Sequence, residues 1–531
     1  MGIRLAQPSV PPKKNKQNQK HMESGMILVK GDISGIQDFI FNVKSDGAAR
    51  ELKARSFFIK LLIETSMQSI LDKFDIDPQN YSNYKISTSG GSFILKLPHS
   101  TDAESKLFEV QSNFTKALQA TGLNISFAFV DYETAQYNKC LIALNHENRK
   151  AKYCYYSHDR SFFEPFQKTA LSNNWMVIYE LISRKNAFKI EKSNTIGLKL
   201  SDISIELAGY KITFNNEGEG SQLENFLESL IPRNEFGSIK TFEVLARDDK
   251  KIGDERNGNC RIIVNGGKDG IEKLGILAMD VDGLGTYLEN IHSETAHKEI
   301  DQRLNTFFNL TLRSLINNAA LYYRSKCNTN IPLFSDKIYS VTAGGDDSFF
   351  VGKWNTILDF ASKINQEFTK EFSRESLTIS AGLVIVDSKF PVVRFAEKVD
   401  HALKKAKYGY NTKGNLCILN EVIPWSFLPE IDRRRQKLYH YLQSAILTKG
   451  MLEQARQNIQ GVRNFEAFDL EDFWKLSYSL REMDSANSKE IIGWLKKDIE
   501  ESISAQSPLE KKIYRLRLSL AARLAEFDKR K

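Results

Sequence analysis

Cysteine is scarce and scattered. Five occur in 531 residues, at Cys140, Cys154, Cys260, Cys327 and Cys417, and no two lie within ten positions of each other. That spacing excludes a CxxC zinc framework and a disulfide scaffold, and isolated thiols suit a reducing cytoplasm. Long apolar runs are missing as well. No stretch of about 18 uncharged apolar residues occurs, which leaves no membrane span. The first residues are polar and lysine-rich, without the apolar centre of a secretory signal. Histidine is thinly spread, eight in all. His158-Asp159 is an adjacent His-Asp pair of the kind metal phosphohydrolases use, but the further histidines at helical spacing are lacking, which argues against a nuclease role.

What is present describes a folded chain of three or four domains: 41% hydrophobic and 26% charged residues suffice for several cores. Of the net charge of +8, the leader 1–25 contributes +4, from Arg4, Lys13, Lys14, Lys16 and Lys20 against Glu23. His21-Met22 followed by a fresh Met26 reads as an expression-tag junction, the other reading being a native arm that binds nucleic acid.

An internal repeat organises the rest. Met26–Asp32 (MILVKGD) matches Leu274–Asp280 (LGILAMD), each an apolar strand ending on aspartate. Asp32-Ile33-Ser34-Gly35 then matches Asp280-Val281-Asp282-Gly283. Ser87–Leu97 and Val341–Gly352 each carry a Gly-Gly turn between two β-rich runs, a hairpin signal. Gly90 to Asn124 and Gly344 to Thr378 are both 34 residues, ending at the matched strands LNISFAFV and LTISAGLVIV. Between the first two blocks of the second copy, Leu304, Phe307, Phe308, Leu312 and Leu315 recur at helical steps. Each copy therefore reads strand, helix, hairpin, helix, strand, helix, an α+β ferredoxin-like unit with its helices on one face of an antiparallel sheet. Residues 141–268 are mixed in pattern and expected to form an α/β or mostly helical linker domain. After 426 the chain is expected to be helical.

The chemistry concentrates in the second copy. Asp280 ends its first strand, and Asp346 and Asp347 follow Gly344-Gly345 on the hairpin. Converging carboxylates repel unless neutralised. Magnesium or manganese does this with hard oxygen ligands and open positions for phosphates, and the Val281 carbonyl adds a further oxygen. Two such ions polarise an attacking hydroxyl and stabilise a pyrophosphate leaving group. The glycines Gly344 and Gly345 let a triphosphate approach the backbone. Asp282 reads equally as a further ligand or as a turn residue, beside Gly283. Lys404 and Lys407, at i, i+3 on one helix face, read either as triphosphate contacts or as a solvated face. In the first copy Gly90-Gly91 is followed by Ser92-Phe93. It lacks the acidic pair and is expected to hold a nucleotide across from the active copy.

GDISGIQDFIF, AARELKARSFFIKLLIE, MDVDGLG, AGGDDSFFVG and LTISAGLVIV…ALKKAK together resemble the large, polymerase-like subunit of type III CRISPR effector complexes, the Csm-type above all. The resemblance implies two palm domains of the nucleotide cyclase and polymerase type, at 26–140 and 269–425, followed by a helical domain at 426–531. It implies a nucleotidyltransferase that binds two ATP molecules and makes cyclic oligoadenylates when guide RNA pairs with target RNA, in company with other subunits of the complex. By that resemblance Asp280, Asp346 and Asp347 are the metal ligands and catalytic residues. The Ser34–Gly35 and Gly90–Gly91 turns fall where the second ATP lies. Gly344, Gly345, Ser380, Lys404 and Lys407 stand with the nucleotide. Two departures are visible. The first palm starts at about Met26, without the family's preceding HD nuclease domain, and no cysteine pair is present for a zinc site between the palms. Some members without the nuclease domain instead join AMP to S-adenosylmethionine, and the same metal cluster serves either acceptor. A catalytically silent scaffold is the remaining alternative.

Overall fold

Alternating burial along Met26–Ser34 makes this segment a strand with two covered faces, since period-two side chains point to opposite sides of the pleat. It is β1 in the computed structural model, which describes residues 25–43, 48–158, 174–230, 240–246, 271–317, 337–344, 347–410, 412–460 and 485–529, with 232, 474, 475, 478, 480 and 481. The leader falls outside the described residues, except Gly25.

The first palm continues with α1 (Ile36–Phe41), α2 (Ala48–Lys73), β2 (Lys85–Ser89), β3 (Ser92–Pro98), α3 (Ala103–Leu118), β4 (Asn124–Asp131) and α4 (Tyr137–His158). Its sheet runs β2-β3-β1-β4 and is antiparallel throughout. Ile27, Val29 and Ile33 of β1 share a core with α2 and α3. Leu28 faces the other way, into a core with Tyr137, Leu141 and Leu144 of α4. The sheet is thus covered on both faces rather than one, because the helix after β4 crosses behind it and continues past residue 140.

Between the palms, α5 (Met176–Arg184) precedes five short antiparallel strands, β5 (Ala187–Lys192), β6 (Lys199–Leu200), β7 (Ser204–Leu207), β8 (Tyr210–Asn215) and β9 (Ser221–Gln222), in the order β6-β7-β8-β5-β9. Phe188 of β5 stacks edge-on against Phe57 of α2, which fixes this sheet to the first palm.

The second palm comprises β10 (Lys273–Val281), α6 (Leu284–Glu289), α7 (Glu294–Asn305), α8 (Leu312–Asn317), β11 (Ile338–Gly344), β12 (Asp347–Lys353), α9 (Trp354–Glu371), β13 (Ile379–Asp387) and α10 (Phe395–Tyr408). Its order β11-β12-β10-β13 repeats that of the first palm, and the short hairpin β14 (Asn415–Ile418) and β15 (Glu421–Pro424) extends it. Thr306–Thr311 winds as a π turn between α7 and α8, so that Leu304, Phe307, Phe308, Leu312 and Leu315 are all buried. Even the irregularities repeat: the hairpin register skips Ile86 in one copy and Val341 in the other.

The palms pack reciprocally. The first long helix of each lies on the hairpin of the other. From α2, Lys53 Nζ donates to the Ser340 carbonyl at 2.5 Å, and the Ser56 hydroxyl donates to the Val341 carbonyl. From α7, the Asp301 carboxylate accepts the Thr88 backbone N–H at 3.2 Å. Phe41 and Phe349 close the seam with ring centroids 4.6 Å apart. The C-terminal helices are α11 (Leu428–Gln443), α12 (Lys449–Gln460), α13 (Ser485–Ser504) and α14 (Pro508–Lys529). At their centre the fully buried Arg434 holds Asp498 through two bonds, of 2.5 and 2.9 Å. Among the described residues, no helix is long and apolar enough to cross a membrane.

Candidate active site

Register decides which residues meet. Asp280, near the end of β10, stands directly opposite Asp347 at the start of β12 and opposite Ser380 on β13. Residues directly opposite on antiparallel strands share a face, and like charges so placed are destabilising. Lys407 answers this from α10: its ammonium forms an ion pair with Asp280, both side chains being 20% exposed. One turn earlier Lys404 pairs with Asp400 at 2.6 Å.

Asp280, Asp347, Lys404 and Lys407 line a cavity of about 250 Å³ to which both palms contribute. The second palm supplies Asp280, Asp347, Lys404 and Lys407. The first supplies Gly90, Gly91, Lys60 and the apolar Ile36, Ile40 and Ile63. Gly91 has φ +101°, and a Cβ there would lie 2.4 Å from Ile36 Cδ1, so the turn accepts no side chain.

The other expected site residues either stand outside the lining of this cavity or lie outside the described residues. Asp282 is buried, and its Oδ2 accepts from Thr378 Oγ1 at 2.8 Å, Ser380 Oγ at 2.9 Å and the Gly414 N–H at 2.9 Å. Of its two readings, the geometry is that of a residue tying β13 to the loop before β14. Ser380 is fully buried and serves that same tie. The Val281 side chain points into the core on the opposite face of β10 from Asp280, while the oxygen expected of Val281 is that of its backbone carbonyl. Gly35 and Gly283 each start a short helix in the left-handed region, at φ 83° and 71°. They, Ser34 and Asp282 are not part of the cavity wall. Gly344 ends β11 opposite Asp347. Gly345 and Asp346 lie outside the described residues, as does Asp159 beside His158, the last residue of α4.

Magnesium or manganese fits the donors that are described. Two carboxylates sit directly opposite each other on one face, hard oxygen donors whose mutual repulsion a divalent cation relieves. Among the described residues no three His, Cys, Asp or Glu side chains come together, and Asp280 and Asp347 stand as a pair.

Sequence reasoning missed two signals. Asn145-His146 and Arg149-Lys150-Ala151-Lys152-Tyr153 on α4 repeat Asp400-His401 and Lys404-Lys405-Ala406-Lys407-Tyr408 on α10. The helices are equivalent, and so are their contacts. Lys152 lies 2.8 Å from Asp32, the first palm's counterpart of Asp280. Asn148 donates to Asp32 at 3.0 Å. Opposite Asp32 stands Ser92, where the second palm has Asp347. Lys60 was missed too; its signal is a charged residue at helical spacing inside the apolar face of α2.

Comparison with known proteins places this geometry. A family model described as Cas10/Cmr2, second palm domain, matches residues 273–417, and one described as Csm1 subunit domain B matches residues 25–168. The CRISPR system single-strand-specific deoxyribonuclease Cas10/Csm1 (subtype III-A) of Streptococcus thermophilus is 24% identical over 516 residues, 90% of this chain and 64% of that protein. The protein of the same name from Enterococcus italicus is 24% identical over 462 residues, 78% of this chain and 57% of its own length. The chain thus spans 57–64% of the length of these curated relatives. The solved Csm1-Csm4 cassette in its apo form superposes with a TM-score of 0.71 at 19% identity, over 94% of this chain and 70% of that one. The cassette in complex with cA3 gives 0.70 at 19% identity, over 96% and 71%. At that identity the likeness establishes the fold.

Proposed function

Because the chain is a homologue of the Cas10/Csm1 large subunits of subtype III-A CRISPR systems, we propose that it is a metal-dependent nucleotidyltransferase that joins AMP units from ATP into cyclic oligoadenylates when target RNA is bound. The observation that carries this reading is the pair Asp280 and Asp347, opposed across two strands in a cavity that both palms line. A scaffold has no use for two carboxylates opposed beside a cavity, where Lys407 pairs with Asp280 and a divalent ion would answer both.

The chemistry is a displacement at phosphorus. The 3′-oxygen of one nucleotide attacks the α-phosphorus of another, the bond to the β-phosphate oxygen breaks, pyrophosphate leaves, and the hydroxyl proton passes to solvent. Asp280, Asp347 and Asp346 would hold the divalent ions, which when bound supply charge neutralisation for the leaving pyrophosphate. Lys404 and Lys407, on one face of α10 at the cavity, contribute positive charge to the donor triphosphate. Gly90 and Gly91 let the second nucleotide approach the first palm's backbone. Holding both reactants in one cavity is itself worth roughly 7–11 kcal/mol of a barrier.

Solved neighbours include Csm1-Csm4 cassettes with one ATP, with AMPPNP and with cA4. By the same reading this chain works in the cytoplasm beside a Csm4-type subunit, with guide RNA and target RNA. The test is to incubate the assembled complex with target RNA, ATP and magnesium, with and without S-adenosylmethionine, and to identify products by mass. Adenylate oligomers that require Asp347 support the reading. Absence of any nucleotidyl product overturns it.

A further inference from the structure

The two walls of the cavity differ in chemistry. The second palm's wall brings the carboxylates together with Lys404 and Lys407. On the first palm's wall, α2 presents Ser56, Ile59, Lys60 and Ile63, the i, i+3, i+4, i+7 face of one helix. The Ser56 hydroxyl is committed to the Val341 carbonyl, and Ile59 and Ile63 are buried apolar residues. Lys60 is therefore the cation that this helix brings to the cavity. It lines the same cavity as Asp280 and Asp347, on a wall that also holds Gln37 and the apolar Ile36, Ile40, Phe41, Ile59 and Ile63.

We infer that Lys60 is a specificity-determining residue, one that binds the phosphates of a nucleoside triphosphate acceptor and so selects ATP over S-adenosylmethionine. This rests on the nucleotidyltransferase reading, in which the carboxylate wall takes the donor and leaves the first palm's wall to the acceptor. The two acceptors differ in the sign of their charge. A nucleoside triphosphate is a polyanion, whereas S-adenosylmethionine carries a sulfonium and an ammonium against one carboxylate. An ammonium on a half-buried, low-polarity wall attracts the first and repels the second, and water screens it less there than on an open surface. The apolar residues around Lys60 give the nucleoside a surface to lie on but do not distinguish the two acceptors, because both carry adenosine. Discrimination therefore falls to the charge. The bonds made and broken are those of the reaction above, with the acceptor's 3′-oxygen as nucleophile.

The experiment compares wild type, Lys60→Glu and Lys60→Gln in the assembled complex, given target RNA, magnesium, ATP and S-adenosylmethionine together. Wild type should yield adenylate oligomers and no S-adenosylmethionine adduct. Lys60→Glu should lower kcat/KM by at least about tenfold, through KM for the second nucleotide. It should also raise the yield of the adduct, with Lys60→Gln intermediate. Binding of AMPPNP, measured alongside, should fall from two molecules per chain to one in Lys60→Glu. Unchanged kcat/KM in both variants, or preferential joining of AMP to S-adenosylmethionine by wild type, would overturn the inference. If wild type makes no nucleotidyl product, the proposed function fails separately. Two AMPPNP molecules bound equally by wild type and Lys60→Glu would still reject the role of Lys60.

Discussion

Lys152 lies 2.8 Å from Asp32, and Lys407 holds Asp280 in the same relation one palm later. Each palm thus closes the carboxylate at the end of its first strand with an ammonium from the helix after its fourth. The asymmetry between the copies lies across the strand, where Ser92 faces Asp32 and Asp347 faces Asp280. One carboxylate more on a neighbouring strand turns a neutralised ion pair into a candidate cation site.

Replacing Asp346 and Asp347 together by alanine should abolish nucleotide product and leave the fold intact. Both charge neutralisation and nucleophile activation are lost, so the rate should fall by several orders of magnitude. Product analysis by mass and the melting temperature measure the two halves of the expectation. Undiminished synthesis would remove the acidic hairpin from the mechanism.

Gly91→Val should destabilise the first palm by more than about 1 kcal/mol, because the position has φ +101° and its Cβ would meet Ile36. Among molecules that stay folded, use of the second nucleotide should suffer more than metal binding, since Ile36 and Gly91 both line the cavity. Denaturant unfolding and manganese titration separate the effects. Equal stability would contradict the tight turn.

Arg434→Ala should cost about 3 kcal/mol, because the buried Asp498 carboxylate loses its two-bond partner and keeps only the bond from Arg517 at 3.3 Å. Arg434→Met with Asp498→Leu should recover much of that loss, since neither of those charges then remains buried and Arg517 keeps Glu501 at 2.7 Å. Melting curves of the single and double variants give the comparison. A loss no smaller in the double variant would refute the account.

The palm interface should carry two opposing pH dependences. Burial raises the Asp301 carboxyl from 3.8 to about 7, so its contribution to stability falls as pH rises through that interval. Burial lowers His297 from 6.5 to about 4, so its contribution rises as pH rises from about 4 to 6.5. The two slopes oppose each other between about pH 4 and 6.5. Relative to the native chain, Asp301→Asn should tilt stability toward rising with pH between about 4 and 7, and His297→Gln should tilt it toward falling between about 4 and 6.5. Melting temperature against pH decides, and parallel profiles in both variants would count against the assignment.

No metal-dependent cleavage of single-stranded DNA by this chain is expected, although the curated relatives are named for that activity. The eight histidines are dispersed along the sequence, without the helical spacing that metal phosphohydrolases use. Cleavage of labelled single strands by the purified chain, lost on His158→Ala, would reverse this.

Much of the fold was legible because duplication and periodicity are local signals. The strand ending at Asp280, the hairpin beyond Gly344 and the helix through Phe307 and Phe308 could each be read from their own residues. Short elements escaped: β14 and β15 have four residues each, too few for a period to show. The repeat on α4 escaped because Asn124 to Arg149 is 25 residues and Thr378 to Lys404 is 26, so the two copies fall out of step by one.

The sequence by itself determined which residue types were available: a strand-end aspartate in each copy, an acidic pair in only one, glycine turns in both, and lysines at helical spacing. Those are properties of order along the chain. Tertiary structure decided which of them share a space. Strand register set Asp347 against Asp280, and the exchange of helices between palms brought Lys60 and Gly91 to the second palm's carboxylates. Ser380 and Asp282 carry the right chemistry in the right motif, yet they face each other and the Gly414 backbone. Spacing along a chain fixes the face a side chain takes on its own element, and only the packing of elements fixes what that face meets.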